Sequence, residues 1–271
     1  WGQAVDPEQI RTHLKQKPYR AVLTQACETS TGTLHPIAEI GKIVAEYPEC
    51  LFLVDGITAV GAVPLPMDAW KIDGLVAGSQ KAFMLPTGLS LVSLSQKAWK
   101  RAQVSRLPRY YFDLRREKSA LEKGGTHFSS NVPLVRALDW VLKDMEARGG
   151  LEALHAEIRG RAEFARKFAQ VSGLGLYSSS PSDSLTVFKL PGAIDGEKLR
   201  DWIERERNIT LIGGQDKAKG KILRMGHMGY ITKEDMLRAF AAIGDGLHAL
   251  LPQQYPADLG DRWQSEMERC R

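Results

Sequence analysis

Short apolar segments alternate with segments of helical spacing over the first hundred residues, and this alternation limits the fold more than any other feature. The stretches 6–16 and 36–47 have helical spacing, and Asp6 and Pro7 begin the first one with an N-cap and a proline in the first turn. Four segments have the composition of short or buried strands: 19–25, 50–56, 72–79 and 88–95. This order predicts an α/β domain with a mixed, mostly parallel sheet and helices on its faces.

The second half has a different pattern. Residues 132–171 predict a long helix pair broken at a pair of glycines, and shorter strands and helices alternate beyond Gly173. Thr232, followed by Glu234 and Asp235, predicts the start of the last helix. We expect residues 1–150 to be part of a large α/β domain and residues 151–271 to form a smaller α+β domain, with residues 258–271 as a loosely held extension.

Charge and cysteine content argue against several classes of function. The net charge is +5, but basic and acidic residues are interspersed, which does not favour a nucleic-acid groove. No apolar stretch approaches about 18 residues, so no membrane partner is expected. Cys27, Cys50 and Cys270 are widely spaced, which predicts no disulfide and no zinc or iron–sulfur site. A reducing cytoplasm is the expected compartment.

Polar residues follow three of the predicted strands directly. Residues 28–31 follow the first strand, Asp55 the second, and residues 79–81 the third. Ligands bind at the carboxyl ends of strands in open α/β sheets, so these residues predict one site. Each group alone also fits a simpler reading: a turn that caps a helix, a capping carboxylate, or a solvated loop lysine.

Lys81 has the position expected of a nucleophilic amine. A lysine at the edge of a buried strand loses hydration, which favours its neutral form and allows it to attack a carbonyl. A pyridoxal phosphate site needs such an amine, and it needs a carboxylate that keeps the ring nitrogen protonated. Lys81 and Asp55 would supply both groups.

Four segments resemble the class V aminotransferases of fold type I, and within them the alanine–glyoxylate and serine–glyoxylate group. They are "ETSTG" at 28–32, residues 51–73, "GSQKAFMLPTGLSLVSLS" at 78–95, and "LRMGHMG" at 223–229. The resemblance extends over nearly the whole chain, and the segment around Lys81 is its most specific part. It implies the fold of the type I pyridoxal phosphate-dependent transferases.

The resemblance also implies roles for individual residues. Lys81 is similar to the Schiff-base lysine, Asp55 to the partner of the pyridine nitrogen, and Thr29 to the hydroxyl near the phenolate oxygen. Gln80 stands where this group has a phosphate contact, whereas cysteine desulfurases have a histidine, so a desulfurase is not expected. Arg224 would orient the substrate carboxylate, since an arginine fork matches a carboxylate bidentately.

The implied reaction is a ping-pong transfer of an amino group from alanine or serine to glyoxylate or a similar 2-oxo acid. A homodimer is implied, in which residues 126–133 reach the neighbouring site; Phe128, Ser129, Ser130 and Asn131 are the candidate contacts. Two alternatives stay open. Some cyanobacterial relatives are catalogued as a soluble hydrogenase subunit, and a binding-only protein could keep the fold without turnover.

The abrupt start at Trp1 resembles the middle of a domain. In the family, an upstream region supplies a glycine-rich loop at a helix N-terminus for the phosphate, and an aromatic side chain that stacks on the ring. We therefore expect this chain to lack an N-terminal part and to leave apolar area at the sheet uncovered. We also expect these 271 residues to bind pyridoxal phosphate weakly, because a helix N-terminus is a strong anion site.

Overall fold

The computed structural model describes residues 1–260 and Trp263. Its first part contains helices and strands in the predicted alternation. In chain order they are α1 (Pro7–Gln16), β1 (Ala21–Gln25), β2 (Cys27–Glu28), β3 (Thr33–Leu34), α2 (Ile37–Ala45), β4 (Leu51–Asp55), β5 (Gly74–Gly78), β6 (Ser90–Leu94), α3 (Gln96–Val104) and α4 (Leu114–Leu121).

The first sheet has the order β1-β4-β5-β6. Strands β1, β4 and β5 are parallel, and β6 runs antiparallel to β5. The register pairs Gln25 with Asp55 and Asp55 with Val76, so the predicted strand ends meet at one edge. The mixed, mostly parallel sheet predicted from the sequence is confirmed.

Local signals explain where the first helix begins. The Asp6 side chain accepts a hydrogen bond from the backbone N–H of Glu8, and Pro7 occupies the first turn, as predicted. Helices α3 and α4 were not predicted. Both are mostly polar: α3 buries only Ala98, and α4 buries no residue, so each offers few apolar side chains to distinguish a helix from a polar loop.

The second part also follows the predicted order. Its elements are α5 (Val132–Ala147), α6 (Gly150–Val171), β7 (Gly175–Leu176), β8 (Leu185–Lys189), α7 (Gly196–Arg207), β9 (Ile212–Gly213), a 3₁₀ turn (Asp216–Ala218), β10 (Ile222–Gly226) and α8 (Lys233–Leu250). Helix α8 begins with a capping box between Thr232 and Asp235. The predicted break in the helix pair is at Gly149 and Gly150, both of which have positive φ angles.

A second, antiparallel sheet has the order β7-β8-β10-β9. Its two faces contact different cores because side chains alternate along a strand. Phe188 and Leu223 pack with the helices α6, α7 and α8. Val187 and Ile222 on the other face pack with residues of α1, α2 and the first sheet. The division of the chain at residues 150 and 151 stays a prediction.

The C-terminal residues differ in part from the sequence prediction. Leu259 and Trp263 are buried, and Trp263 packs against Phe164, Phe168 and Phe240. The expectation of a loosely held extension is therefore wrong at these two residues, since an indole buried among aromatic rings adds to the core. Residues 261–262 and 264–271, with Cys270, lie outside the described residues. No helix of the described part has the length and hydropathy to cross a bilayer.

Asp73 joins three elements of the first sheet. Its carboxylate is 6% exposed and accepts a hydrogen bond from the backbone N–H of Phe52 at 2.9 Å and one from the Ser95 hydroxyl at 2.7 Å. Lys97 Nζ lies 2.8 Å from the same carboxylate. Buried carboxylates with several donors stabilise a fold mainly because removing them leaves those donors unpaired.

We predict that Asp73→Ala lowers the free energy of unfolding by about 2–3 kcal/mol, because it leaves the N–H of Phe52 and the Ser95 hydroxyl without this acceptor and removes the charge that pairs with Lys97. Chemical denaturation measures this loss. Glu49→Ala is the matched control: it removes a carboxylate that pairs with Arg101 but is 87% exposed, and it should cost at most about 1 kcal/mol. Equal losses in the two variants would contradict the assignment.

Candidate functional site

A short hairpin lies at the centre of the candidate site. Strands β2 and β3 pair around the turn 29–32, a segment that the sequence predicts as an unpaired loop. Gly32 has a φ of +68°, and a Cβ there would lie 2.6 Å from Val187 Cγ2 of β8. The turn therefore packs closely against the second sheet, and only glycine fits at its end. We call residues 27–32 the hub loop.

Lys81 follows β5 in a tight turn, as predicted. The fully buried Ser79 donates from its hydroxyl to the carbonyl of Pro86 at 2.7 Å and accepts from the N–H of Leu89 at 3.2 Å. Met84 adopts a left-handed φ of +59° and donates its N–H to the Lys81 carbonyl. These contacts fix the backbone that carries the lysine.

Lys81 is half-buried, and its charge acts on Cys27 of the hub loop. Burial raises the pKa of the Cys27 thiol to about 11, and the nearby charge of Lys81 is among the influences that oppose this rise. Within residues 1–260 and Trp263, the Lys81 amine has no hydrogen-bond partner and no ion pair. An amine with no competing partner is available to a ligand.

Asp55 ends β4 on the open side of the first sheet. Its Oδ1 accepts a hydrogen bond from the N–H of Ile57 at 2.9 Å, and no cation of the described chain pairs with it. A cavity of about 570 Å³ opens here, and its lining includes Asp55 and Gln25 but consists mainly of apolar side chains. Leu23, 72% exposed, belongs to the same face.

Gln80 and Lys81 are consecutive residues in the turn that follows β5. Gln80 is exposed, and its amide folds back so that Oε1 would lie 2.6 Å from a Cβ placed on Gly78. The segment after β4 comes equally close to this turn, since a Cβ placed on Gly61 would lie 2.8 Å from the Cβ of Ala82. The two segments that follow β4 and β5 are thus in close contact.

Thr29 connects the hub loop to the segment after β4. Its Oγ1 lies 2.6 Å from Oγ1 of Thr58, which is 5% exposed. Thr29 is among the predicted site residues and Thr58 is not, because no local signal separates Thr58 from an ordinary turn threonine. The only available clue is its position three residues after Asp55.

Arg224 lies on β10, on the face that packs toward the first sheet. It donates from Nε to the carbonyl of Gly213 at 2.9 Å and from Nη1 to the carbonyl of Thr29 at 3.0 Å. It is 9% exposed, and no carboxylate of the described residues forms an ion pair with it. Burial lowers the pKa of its guanidinium, and the charge of Glu28 opposes this shift. A nearly buried cation with only neutral acceptors favours an anionic ligand.

The segment 126–133 lies at the surface near the start of α5. Asn131 caps this helix by accepting from the N–H of Leu134, and Phe128 packs against Tyr110 and Tyr111, which are 66% and 64% exposed. No hydrogen bond between described residues links this segment to the hub loop, Asp55 or Lys81. Its predicted contact with a neighbouring site stays a prediction.

His227 follows β10, three residues after Arg224. It is fully buried, its Nε2 lies 2.8 Å from the Thr186 hydroxyl, and its Nδ1 has no partner among the described residues. Burial, together with the charges of Arg166 and Arg161, lowers its pKa to about 3. The imidazole is therefore neutral in the folded protein at ordinary pH.

Comparison with known proteins gives a consistent result. The family description "Aminotransferase class-V" matches residues 2–239. A Synechococcus protein named "Soluble hydrogenase, small subunit" is 35% identical over 247 residues, which are 90% of this chain and 64% of that relative. A serine–glyoxylate aminotransferase of Methylorubrum extorquens is 33% identical over 254 residues, 89% of this chain and 63% of that relative. The chain thus spans less than two thirds of the length of these curated relatives.

The fold has close counterparts among solved structures. The ureidoglycine–glyoxylate aminotransferase of Bacillus subtilis superposes with a TM-score of 0.90 at 27% identity, over 99% of this chain and 70% of that one. This similarity confirms the predicted fold. It also agrees with the order of helices and strands described above.

We predict that His227 makes the fold acid-sensitive. Below the ordinary histidine pKa of 6.5 the unfolded chain binds a proton that the folded chain does not, until the pH approaches about 3. Stability contributed by the neutral imidazole is thus complete above 6.5 and is lost as the pH falls, by about 1.4 kcal/mol per pH unit. Urea denaturation at pH 7, 6, 5 and 4 measures this slope.

His227→Gln should reduce the slope of the free energy of unfolding against pH by the contribution of about one bound proton, since glutamine does not titrate. The exposed His127 offers the control, and His127→Gln should leave the slope unchanged. An identical slope in wild type and His227→Gln would show that the buried imidazole is not the source.

Proposed function

The chain belongs to the class V aminotransferase family, and on that premise we propose that it moves an amino group from alanine or serine to glyoxylate or a similar 2-oxo acid, with pyridoxal phosphate as cofactor. Relatives named as serine–glyoxylate and aspartate–glyoxylate aminotransferases support the acceptor. The observation that carries the proposal is the state of Arg224, a nearly buried cation held only by backbone carbonyls.

Arg224 is suited to the carboxylate that amino acids and 2-oxo acids share. Two of its N–H groups are used by Gly213 and Thr29, and the remaining donors have no carboxylate partner within the described chain. A substrate carboxylate would supply the missing negative charge and accept charged hydrogen bonds in a largely desolvated place. Both half-reactions would use this contact, because donor and acceptor carry the same group.

The other predicted site residues fit pyridoxal phosphate by the chemistry of their side chains. Lys81 offers an amine without a partner in the described chain, and Asp55 a carboxylate without a cation. Thr29 offers a hydroxyl in the hub loop, and Gln80 an exposed amide at the end of β5. When bound, the cofactor supplies a reactive carbonyl and an electron-withdrawing ring.

Each residue would then have one task. Lys81 would hold the cofactor through Nζ and, once released by the substrate, take the proton from the substrate α-carbon. Asp55 would keep a proton on the ring nitrogen, since a carboxylate stabilises that cation. Thr29 would donate to the ring oxygen, and Gln80 would bind the phosphate through its amide.

We also propose a homodimer in the cytoplasm. Tyr110, Tyr111 and Phe112 form a cluster of exposed aromatic side chains beside Phe128, and 82% of Phe112 is exposed. Exposed aromatic clusters are typical of protein interfaces, which supports a partner at the surface that carries residues 126–133.

A second candidate role comes from the names of two relatives, "Soluble hydrogenase, small subunit" and "Soluble hydrogenase 42 kDa subunit". Among the described residues, no group of three or more His, Cys, Asp or Glu side chains is arranged to hold a metal ion. Metal analysis of the purified protein separates the two roles: stoichiometric nickel or iron would favour the hydrogenase name.

We predict that borohydride reduction in the presence of pyridoxal phosphate labels Lys81, because its amine has no competing partner in the described chain. Peptide mass spectrometry locates the label, and glycine formation from glyoxylate with alanine or serine measures the activity. Lys81→Arg should lose both the label and the activity, whereas Lys42→Arg on α2 should keep both. A label on another lysine would refute the assignment.

Arg224→Lys should raise the KM for the amino acid about 10- to 100-fold, because a point charge cannot replace a bidentate fork in which a charged hydrogen bond contributes about 1.5–3 kcal/mol. The absorbance of the bound cofactor should not change, since Arg224 contacts the backbone carbonyl of Thr29 and not the hydroxyl that would face the cofactor. Arg200→Lys, on the surface of α7, is the control. An unchanged KM would move the carboxylate site elsewhere.

A further inference from the structure

The pair Thr29 and Thr58 contains one hydroxyl that can reach a ligand and one that cannot. Their Oγ1 atoms are 2.6 Å apart. Thr58 is 5% exposed, whereas Thr29 is only half-buried and belongs to the hub loop. Within residues 1–260 and Trp263, the Thr58 hydroxyl has no hydrogen-bond partner other than Thr29.

The number of protons decides which hydroxyl donates. Each threonine has one O–H donor and lone pairs that accept. If Thr29 donated to Thr58, the proton of Thr58 would be buried without an acceptor, which costs about 1–3 kcal/mol. The lower-energy arrangement has Thr58 donating to Thr29, and the proton of Thr29 is then free for an acceptor in the site.

The backbone around Thr58 holds it in this position. The N–H groups of Ala59 and Val60 donate to the carbonyl of Gly56, and the N–H of Ile57 donates to Oδ1 of Asp55. The same turn therefore orients the carboxylate of Asp55 and the hydroxyl of Thr29. No local pattern joins these residues, because Thr29 and Thr58 are 29 positions apart.

We propose that Thr58 is a positioning residue that donates to Thr29 and thereby makes Thr29 a donor toward the ring oxygen of pyridoxal phosphate. This inference rests on the proposed function, and it adds a residue that acts only through another. The two residues should therefore be energetically coupled. A substitution of Thr58 should have no effect on cofactor binding once the Thr29 hydroxyl has been removed.

The experiment measures two properties of bound pyridoxal phosphate, its Kd and the pH midpoint of its absorbance change. Thr58→Val keeps the shape of the side chain and removes the donor. We expect a Kd about fivefold higher, as for one hydrogen bond of about 1 kcal/mol, and a higher pH midpoint, because a donor to the ring oxygen stabilises its anionic form. Thr58→Ser should restore both values.

The coupled variants test the mechanism. Thr29→Val should raise the Kd and the midpoint at least as much as Thr58→Val, and the double variant should be no worse than Thr29→Val alone. Thr33→Val is the control: Thr33 has a buried hydroxyl too, but its partners are Thr31 and Ser178. It should lower the unfolding temperature without moving the pH midpoint. Thr58→Ala replaces Thr58→Val if the valine variant fails to fold.

Two results would overturn the inference, and they differ from each other. If wild type binds pyridoxal phosphate at Lys81 but Thr58→Val has the same Kd and midpoint, Thr58 has no positioning role and the proposed function stands. Additive effects in the double variant would lead to the same conclusion. If wild type and all variants fail to bind the cofactor, the proposed function fails, and the role of Thr58 fails with it.

Discussion

The hydrogen bond from Arg224 Nη1 to the carbonyl of Thr29 is the interaction on which the site depends. It joins the second sheet to the hub loop across 195 positions of the chain. The guanidinium is nearly buried, so it is stable there only because carbonyl dipoles face it. Gly32 contributes at the other end of the loop, where its missing side chain allows contact with Val187. The loop is therefore held by the sheet that would bind the substrate, while its Thr29 hydroxyl contacts Thr58 in the segment after β4.

Much of this architecture can be predicted from sequence because the signals are local. Asp6 and Thr232 cap helices through their own side chains, and the short apolar run that ends at Asp55 predicts a strand because a turn residue follows it directly. The polar ends of β1, β4 and β5 follow from the parallel register, which brings them to one edge. These features need no knowledge of distant contacts.

What could not be predicted depends on tertiary register. Thr58 becomes relevant only because β4 lies beside β1, which brings the turn after Asp55 against Thr29. Trp263 is buried only because three phenylalanines from α6 and α8 surround it, although its own segment is strongly polar. Helices α3 and α4 are almost without buried residues, and their sequences contain few apolar side chains that would mark them as helices.

The position of Lys81 is determined by residues that take no part in the chemistry. Ser79 closes the turn with two hydrogen bonds, and Met84 accepts a left-handed conformation that costs about 1–2 kcal/mol for a residue with a side chain. Phe83 offsets this cost, because it is buried in a cluster with Val141 of α5 and Ile158 of α6. The apolar core between α5 and α6 therefore stabilises the strained turn that begins with Lys81. A site of this kind can keep its lysine unpaired, since packing outside the site already fixes the backbone that presents it.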